Sequence, residues 1–512
     1  MKCFFTLLLF LPVMLWSQPV SIIPEPVSLT IKQGEFILNS DVEIVADRSQ
    51  QANAKFLSQY ISDCSLIKVS VKEKATKGKR SIRLKLIPNT AINVESYSIT
   101  ITPQSVLVSA ADSKGIFYGL QSLRQLLPYN TDGKALQISI PCVQIEDYPQ
   151  FTWRGLMLDV SRTFMNVNLV KRYLDLMSLY KLNTLHWHLI DDQGWRIEIK
   201  KYPLLTKIGA HFDSEFNVMG GYYTQEEIKD IVSYAEERNI TIVPEIEMPG
   251  HCLAALVAYP HLSCTGEQYK IHTFLEGPGI HNEIYCAGNE QVFEFLEGVL
   301  TEVCELFPSK YIHVGGDEAP KVFWKKCPKC QQTMADNNLK NEEELQGYFI
   351  QRALKILQKN NRYLIGWDEI IDESDMPLEV AGTCWRNSNF VGKFAEKGHK
   401  VVANSTIPYY FDYGYDANSS QRVYENNPIP DNLPADKRAN VLGIQANFWS
   451  HIDRSEPRVD RMLFPRLLSL AGAAWSPEEQ KNWARFKVKL EEHKKRLKSM
   501  YVNYYEESEL EN

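Results

Sequence analysis

The feature that most constrains the fold is a repeated alternation of short apolar runs with longer amphipathic segments after residue 150. A run that is apolar throughout, followed by a helical pattern, is typical of a βα unit whose parallel strand is buried on both faces. Eight such runs occur, at 155–160, 184–190, 241–248, 311–316, 363–369, 382–385, 400–405 and 441–449. Eight strands with helices between them, over about 320 residues, predict a (β/α)8 TIM barrel in the α/β class.

The segments between these runs predict the helices that would surround the barrel. Their apolar residues recur with helical spacing. The predicted helices span 168–180, 224–238, 289–307, 342–359, 390–397 and 458–470. The remainder, 476–512, is a charged segment with a helical pattern and is too short for a further domain. We therefore expect the barrel domain to run from 150 to 512, with a C-terminal helix.

The chain before the barrel has a different pattern. Residues 22–149 contain short runs that alternate apolar and polar side chains, together with one helical segment at 113–127. Alternation of this kind indicates strands with one buried face. We expect a small α+β domain over 19–149.

The first 18 residues, MKCFFTLLLFLPVMLWSQ, have one Lys, an apolar segment of about 14 residues and a polar exit at Ser17 and Gln18. This pattern is typical of a secretory signal peptide. It predicts an exported protein, either periplasmic or secreted. The segment is short for a bilayer, and no later stretch approaches about 20 apolar residues, so no membrane span is expected.

Charge and cysteine content limit the partners. The formal net charge of −7 and the absence of a basic run make nucleic acid an unexpected partner. Ten cysteines are present, and removal of Cys3 with the leader leaves an odd number. Cys327 and Cys330 have the spacing of half a zinc site, but no second pair with that spacing follows, so a local disulfide or packed thiols are predicted. No cofactor or metal is expected; the oligomeric state is open, with a dimer possible.

Polar or aromatic side chains lie at, or just after, the C-terminal end of every predicted barrel strand. Strand C-terminal ends converge on the face of a barrel where active sites lie. The residues at these ends are Asp159, Arg162, Asp191, Asp192, Trp195, Glu245, Glu247, His251, Asp317, Glu318, Trp367, Asp368, Glu369, Trp385, Tyr409, Tyr410, Asp412 and Trp449. Aromatic faces stack on sugar rings, while carboxylates and guanidinium groups bind hydroxyls. The set predicts a pyranoside site.

Asp317 and Glu318 form an adjacent pair at the end of the fourth strand. Neighbouring residues of an extended chain point to opposite sides, so both can face a substrate only if the backbone turns there. Two neighbouring carboxylates should also raise one pKa. Most glycosidases hold their two acids on either side of the sugar, which suits a pair in one loop poorly. A substrate with its own nucleophile, a 2-acetamido carbonyl, suits it better.

Five motifs strongly resemble family 20 glycoside hydrolases, the β-N-acetylhexosaminidases. They are LDVSR (158–162), HWHLIDDQGWRIEI (186–199), PEIEMPGH (244–251), HVGGDE (313–318) and GWDE (366–369), and the likeness extends from IPEP (23–26) to the C-terminal helix. The resemblance implies an exo-acting hydrolase that removes terminal β-linked GlcNAc or GalNAc. It also implies a retaining, substrate-assisted mechanism through an oxazolinium intermediate.

The resemblance assigns roles to individual residues. Glu318 would be the general acid and then the general base, and Asp317 would orient the acetamido group. Arg162 would bind the 3- and 4-hydroxyls, and Asp191 with His251 would form a polar pair beside Glu318. The remaining roles are an acetamido contact for Tyr410, ring enclosure for Trp367, Trp385 and Trp449, and O4 or O6 binding for Asp412.

One position departs from the family pattern. The family commonly has Glu two residues after the last barrel Trp, where this chain has His451. Loss of a carboxylate and gain of an ionisable ring would favour an anionic substituent, so a preference for 6-sulfated GlcNAc is one hypothesis. The alternative is that His451 binds a hydroxyl or points away.

Two other functions fit parts of the sequence. His186 and His188 lie on one strand face, and with Glu245, His251 and His313 they could serve a divalent-metal hydrolase. The metal content of the purified protein would distinguish this case. A carbohydrate-binding protein that has lost its chemistry is the other alternative, which the intact acid pair disfavours.

Overall fold

The computed structural model describes residues 20–87, 94–129, 134–211, 220–271, 279–450 and 455–507. The predicted signal peptide and His451 lie outside these residues. No helix in the described ranges is long and apolar enough to cross a bilayer.

The N-terminal part is a seven-stranded mixed sheet with two helices. Its strands are β1 (Ser28–Leu38), β2 (Glu43–Ala46), β3 (Ser70–Lys72), β4 (Ser81–Leu86), β5 (Tyr97–Ile101), β6 (Ser105–Ala110) and β7 (Ile138–Asp147), and its helices are α1 (Gln51–Cys64) and α2 (Ser113–Leu126). The strand order is β1-β7-β5-β6-β4-β2-β3, antiparallel from β1 to β6 and parallel from β6 to β3. Apolar residues of both helices share one core with the sheet.

The rest of the chain forms a closed barrel of eight parallel strands. These are β8 (Trp153–Asp159), β9 (Thr184–His188), β12 (Thr241–Glu245), β13 (Tyr311–His313), β14 (Tyr363–Trp367), β15 (Ala381–Cys384), β16 (Val401–Ala403) and β17 (Val441–Phe448), with a small hairpin of β10 (Ile190–Asp191) and β11 (Gly194–Trp195) after the second. Sequential strands pair, and β17 closes on β8. The predicted TIM barrel behind a small α+β domain is confirmed.

Helices surround the barrel and fill its loops. They are α3 (Val167–Leu179), α4 (Leu204–Lys207), α5 (Gln225–Glu236), α6 (Leu253–Ala258), α7 (Glu290–Leu306), α8 (Pro328–Asp336), α9 (Glu342–Lys359), α10 (Glu369–Asp372), α11 (Ser388–Lys397), α12 (Thr406–Tyr409), α13 (Ser420–Glu425), α14 (Glu456–Leu463), α15 (Arg466–Trp475) and α16 (Trp483–Ser499). The single helix predicted over 458–470 is wrong: α14 and α15 are separate. Pro465 ends the first of them, because proline lacks the N–H that would continue the helix.

A buried ion pair links the two parts of the molecule. Lys181 Nζ lies 3.0 Å from Asp147 Oδ2, and both side chains are fully buried. Trp475 of α15 also donates its indole N–H to Asp147, at 2.9 Å. Because Asp147 ends β7 while Lys181 precedes β9, these contacts fix the sheet against the barrel.

We expect Lys181→Met to lower the free energy of unfolding by about 3 kcal/mol, because removal of one partner leaves a buried carboxylate without its counter-charge. Urea denaturation of the full chain measures the effect. Lys171→Met is the matched control, since Lys171 pairs with Asp230 at 2.7 Å but with the Asp230 side chain 58% exposed. Exposed pairs contribute about 1 kcal/mol or less. Equal losses in the two variants would contradict the prediction.

Candidate active site

A sharp backbone turn after β13 brings the two adjacent acids to the same mouth. Gly315, Gly316 and Glu318 all have positive φ, of 63°, 96° and 45°. A Cβ on Gly315 would lie 1.5 Å from Glu247 Oε2, so the first glycine is required for the backbone to pass over that carboxyl. This turn is why Asp317 and Glu318 do not point to opposite sides as they would in a strand.

Asp317 and Glu318 both face one imidazole. His251 Nε2 lies 3.6 Å from Glu318 Oε2 and 3.9 Å from Asp317 Oδ2. The Asp317 side chain is 12% exposed and that of Glu318 is 37% exposed. His251 also has positive φ, of 47°. Left-handed backbone at non-glycine residues is concentrated at functional sites, and His251 and Glu318 both adopt it.

A chain of polar contacts supports His251 from below. His251 Nδ1 lies 3.3 Å from Asp191 and 3.2 Å from Asp192. Asp191 in turn contacts Arg162 at 2.8 Å and His188 at 2.9 Å. Burial disfavours the imidazolium of His251, but Asp191, Asp192 and Glu318 together outweigh burial and raise the pKa of His251 well above its ordinary value. A positively charged ring therefore stands beside the acid pair.

The predicted upward pKa shift falls on Asp317. Burial raises the pKa of Asp317 to about 7, against the lowering effect of His251 and with a further increase from Glu318. Asp317 Oδ1 is buried and has no hydrogen-bond partner among the described residues. A buried carboxyl oxygen without a partner is costly, and a donor on a ligand would relieve that cost.

Aromatic rings form a continuous wall beside the acids. The ring centroids of Trp367 and Trp449 are 5.9 Å apart, those of Trp449 and Tyr410 are 6.1 Å apart, and those of Tyr410 and Trp385 are 6.3 Å apart. Trp367 is 1% exposed and lies deepest, while Trp385 and Trp449 are half-buried. Arg162 lies over Trp449, 4.9 Å from the ring centroid, so the wall reaches the guanidinium.

Asp412 is a second buried carboxyl of the mouth. It is 4% exposed, and its Oδ1 has no partner within the described part of the chain. Burial raises the pKa of Asp412 to about 7. Arg162 Nε, Trp367 Nε1 and Asp317 Oδ1 are likewise buried without a described partner. Several unpaired polar atoms in one concave region indicate a polar ligand.

We expect Asp412→Asn to stabilise the protein at pH 8 but hardly at pH 4. The folded-state pKa is raised above the unfolded value near 3.9, so ionisation of Asp412 costs stability progressively as pH rises from about 4 to about 7. Thermal unfolding should show a gain of about 2–4 °C at pH 8. Asp416→Asn, at an exposed position nearby, should show no gain, and equal effects at both pH values would contradict the prediction.

The histidines of the metal-hydrolase alternative form a closed cluster beneath the mouth. Glu245 contacts His186 at 3.0 Å and His313 at 2.7 Å, and it also pairs with His188. Burial lowers the pKa of His186 to about 4. Burial also disfavours the charged form of His188, but Glu245, Asp191 and Asp159 together raise the pKa of His188 to about 10. These side chains are at most 1% exposed, whereas a catalytic metal keeps a position open to substrate. The arrangement does not favour that alternative.

The described residues to which the resemblance assigns a role lie around one mouth, whereas Trp195 packs against Phe295 and the hydroxyl of Tyr409 accepts from Asn426. Two further residues lacked a predicted role. Asp192 contacts His251, and Glu369 accepts the indole N–H of Trp385 at 3.0 Å. Burial and the charges of Asp317 and Asp368 raise the pKa of Glu369 to about 9. Asp192 lies just after the predicted strand 184–190 and Glu369 ends the predicted strand 363–369, which was the available signal. The 6-sulfate hypothesis depends on His451 and stays a prediction.

A βα barrel with an acid pair, a guanidinium and a wall of aromatic rings at its mouth defines a glycoside hydrolase. Family models match two parts of the chain: "Glycosyl hydrolase family 20, catalytic domain" over 151–478 and "Glycosyl hydrolase family 20, domain 2" over 19–148. The chain belongs to glycosyl hydrolase family 20.

Individual relatives agree with this family. A β-hexosaminidase of Porphyromonas gingivalis is 37% identical over 96% of this chain, which spans only 65% of that relative's length. The solved exo β-N-acetylglucosaminidase of Vibrio harveyi, in complex with N-acetylglucosamine, is 30% identical with a TM-score of 0.86, covering 95% of this chain and 78% of that one. The β-N-acetylhexosaminidase of Bacteroides fragilis is 32% identical with a TM-score of 0.83, covering 95% and 97%.

Proposed function

We propose that the protein is an exo-acting β-N-acetylhexosaminidase that removes terminal β-linked GlcNAc or GalNAc with retention of configuration. The observation that carries the proposal is the pair Asp317 and Glu318, adjacent in one loop and turned to the same mouth. Two acids held side by side in one loop do not flank a sugar from opposite faces, which fits a mechanism in which the substrate's acetamido oxygen supplies the nucleophile.

The two acids have different environments that fit different roles. Glu318 is the more exposed, which suits a proton donor to the leaving-group oxygen at the pocket entrance. Asp317 is buried, with Oδ1 available for the acetamido N–H. The acetamido oxygen attacks C1 as the glycosidic bond breaks, and Glu318 gives its proton to the departing oxygen. Glu318 then takes a proton from water as that water attacks C1 and opens the oxazolinium ring.

The rest of the mouth would hold the sugar. Arg162, fixed by Asp191 and stacked on Trp449, would bind the 3- and 4-hydroxyls. Tyr410 and Trp385 would close on the acetamido group, and Asp412 would accept a hydroxyl at O4 or O6. A sugar hydroxyl that donates to the unpaired oxygen of Asp412 would stabilise its carboxylate form, so Asp412 need not be protonated for the sugar to bind.

The same proposal covers the location of the protein. The apolar leader at residues 1–18 supports export, to the periplasm or the exterior of the cell. An exported enzyme of this kind would meet oligosaccharides that end in N-acetylhexosamine. Loss of residues 1–18 from the mature protein, detected by N-terminal sequencing, tests this point.

The test of the activity compares three 4-nitrophenyl substrates: the N-acetyl-β-glucosaminide, the N-acetyl-β-galactosaminide and the β-glucoside with a 2-hydroxyl. We expect release from one or both N-acetyl sugars and none above background from the glucoside, because the latter has no internal nucleophile. Proton NMR of the first product should show the β-anomer. Cleavage of the glucoside at a comparable rate, or an inverted product, would overturn the mechanism.

A further inference from the structure

Four cysteines from three separate positions in the chain meet at one point between the loops after β12 and β13. Cys264 and Cys286 come from the first loop, and Cys327 and Cys330 come from the second. None of the four is disulfide-bonded, so the local disulfide that was one of the two sequence expectations is wrong, and the four sulfurs are packed together. Sequence spacing did not indicate a four-cysteine cluster, because the other two cysteines precede Cys327 and do not have the spacing of a metal-binding pair.

The distances between the sulfurs suit a tetrahedral metal ion. Cys286 Sγ lies 3.7 Å from both Cys327 Sγ and Cys330 Sγ, and Cys264 Sγ lies 3.8 Å from Cys330 Sγ. All four sulfurs are within 4.8 Å of one another. Zinc bound tetrahedrally with Zn–S of about 2.3 Å holds its sulfurs about 3.8 Å apart.

These distances do not single out disulfide partners. A disulfide brings two sulfurs to about 2.05 Å and leaves the others farther away. Cys286 is instead equally distant from two candidates, which is the arrangement that a shared central ion produces. Cys286, Cys327 and Cys330 are each at most 6% exposed, so the centre would be closed to substrate, as structural zinc sites are.

Two features near the sulfurs can offset the negative charge of a metal-bound thiolate cluster. Cys327 is the N-cap of α8 and Cys330 lies in its first turn, where the helix dipole stabilises negative charge. Three exposed lysines, Lys325, Lys326 and Lys329, flank these cysteines and would offset the double negative charge of a zinc tetrathiolate.

The two loops are also held close at this point. A Cβ on Gly288 would lie 2.2 Å from the carbonyl carbon of Lys329, so only glycine permits the approach. Tyr285 N–H donates to Pro249 O at 3.0 Å, and Trp324 Nε1 donates to Tyr285 O at 2.9 Å. Pro249 precedes His251 by two residues, and Trp324 follows Glu318 by six. The cluster therefore joins the loop of His251 to the loop of the acid pair.

We propose that Cys264, Cys286, Cys327 and Cys330 bind one structural zinc ion that fixes the loop of His251 against the loop of Asp317 and Glu318. Binding releases the thiol protons and requires no oxidant. Its consequence is positional: the ion sets the distance between the imidazole and the two carboxylates, and it takes no part in bond cleavage.

The test begins with the wild-type full chain, purified without a metal-affinity tag, chelator or reductant. Elemental mass spectrometry should find about one zinc ion per chain. A thiol-blocking mercurial should release that zinc to a chromogenic chelator, and alkylation after unfolding should label all four cysteines without prior reduction. Zinc-free protein overturns the proposal, whether its cysteines are free thiols or are disulfides that need a reductant before they can be labelled.

Variants locate the ion. Cys286→Ser and Cys330→Ser should each lose most of the zinc and unfold at a lower temperature, whereas Cys304→Ser, a buried cysteine outside the cluster, should keep it. Zinc retained at wild-type stoichiometry in the double variant Cys286→Ser/Cys330→Ser would overturn the assignment. If these variants do not fold, the wild-type stoichiometry and the mercurial release decide the question alone. Neither measurement depends on hexosaminidase activity.

Discussion

Glu318→Gln should lower kcat by about 10²- to 10⁴-fold, because glutamine cannot protonate the leaving oxygen or activate water. The loss should be greatest for a poor leaving group, such as the second sugar of chitobiose, and smallest for 4-nitrophenolate, which departs with little proton transfer. Gln has nearly the same shape as Glu and meets the same positive φ of 45° at this position, so the fold should persist. Steady-state kinetics with both substrates measures the effect.

The control for this variant is Glu396→Gln on the exposed face of α11, which should match the wild type. Thermal unfolding of both variants establishes that lost activity is not lost structure. Equal loss for both leaving groups would remove Glu318 from the role of proton donor. Activity within threefold of the wild type would place the acid elsewhere, and the proposed mechanism would fail with it.

The barrel could be predicted because each of its strands is buried on both faces. Runs such as 184–190 and 363–369 are mainly apolar for that reason, and all eight appear as strands. The predicted ends were less accurate. The fourth run was expected to extend to 316, but β13 ends at His313 because Gly315 and Gly316 take left-handed backbone. The local sequence pattern indicates which residues are buried. The end of a strand depends instead on tertiary contacts, here the close approach of the backbone to Glu247.

The site was predictable in its membership more than in its contacts. Strand ends identified the acids, Arg162 and the tryptophans, since a barrel brings these ends together. The pairing of Asp192 with His251, and of Glu369 with Trp385, depends on loop conformations that no spacing encodes. The same limit applied to Cys264 and Cys286, which are 63 and 41 residues before Cys327 and meet it only in the folded chain.

Asp317→Asn should lower kcat/KM on the N-acetyl substrate by about 10²- to 10³-fold at pH 8, the size expected when one charged group that stabilises the transition state is removed. A carboxylate both accepts the acetamido N–H and offsets the positive charge of the oxazolinium ring. Asn keeps the shape but loses the charge. The 2-hydroxy glucoside, which forms no such ring, should stay at background with the wild type and with the variant.

The same variant should change the pH dependence. Because burial raises the pKa of Asp317 to about 7, the carboxylate form of the free enzyme is lost as pH falls through 7, and kcat/KM of the wild type should fall there too. The Asn variant has no such group, so this acid limb should disappear from its profile, while Asp375→Asn, at an exposed position, should retain it. An acid limb near pH 7 that survives in Asp317→Asn would belong to another group of the cluster around His251. In that case Asp317 would act by shape and hydrogen bonding, without its charge.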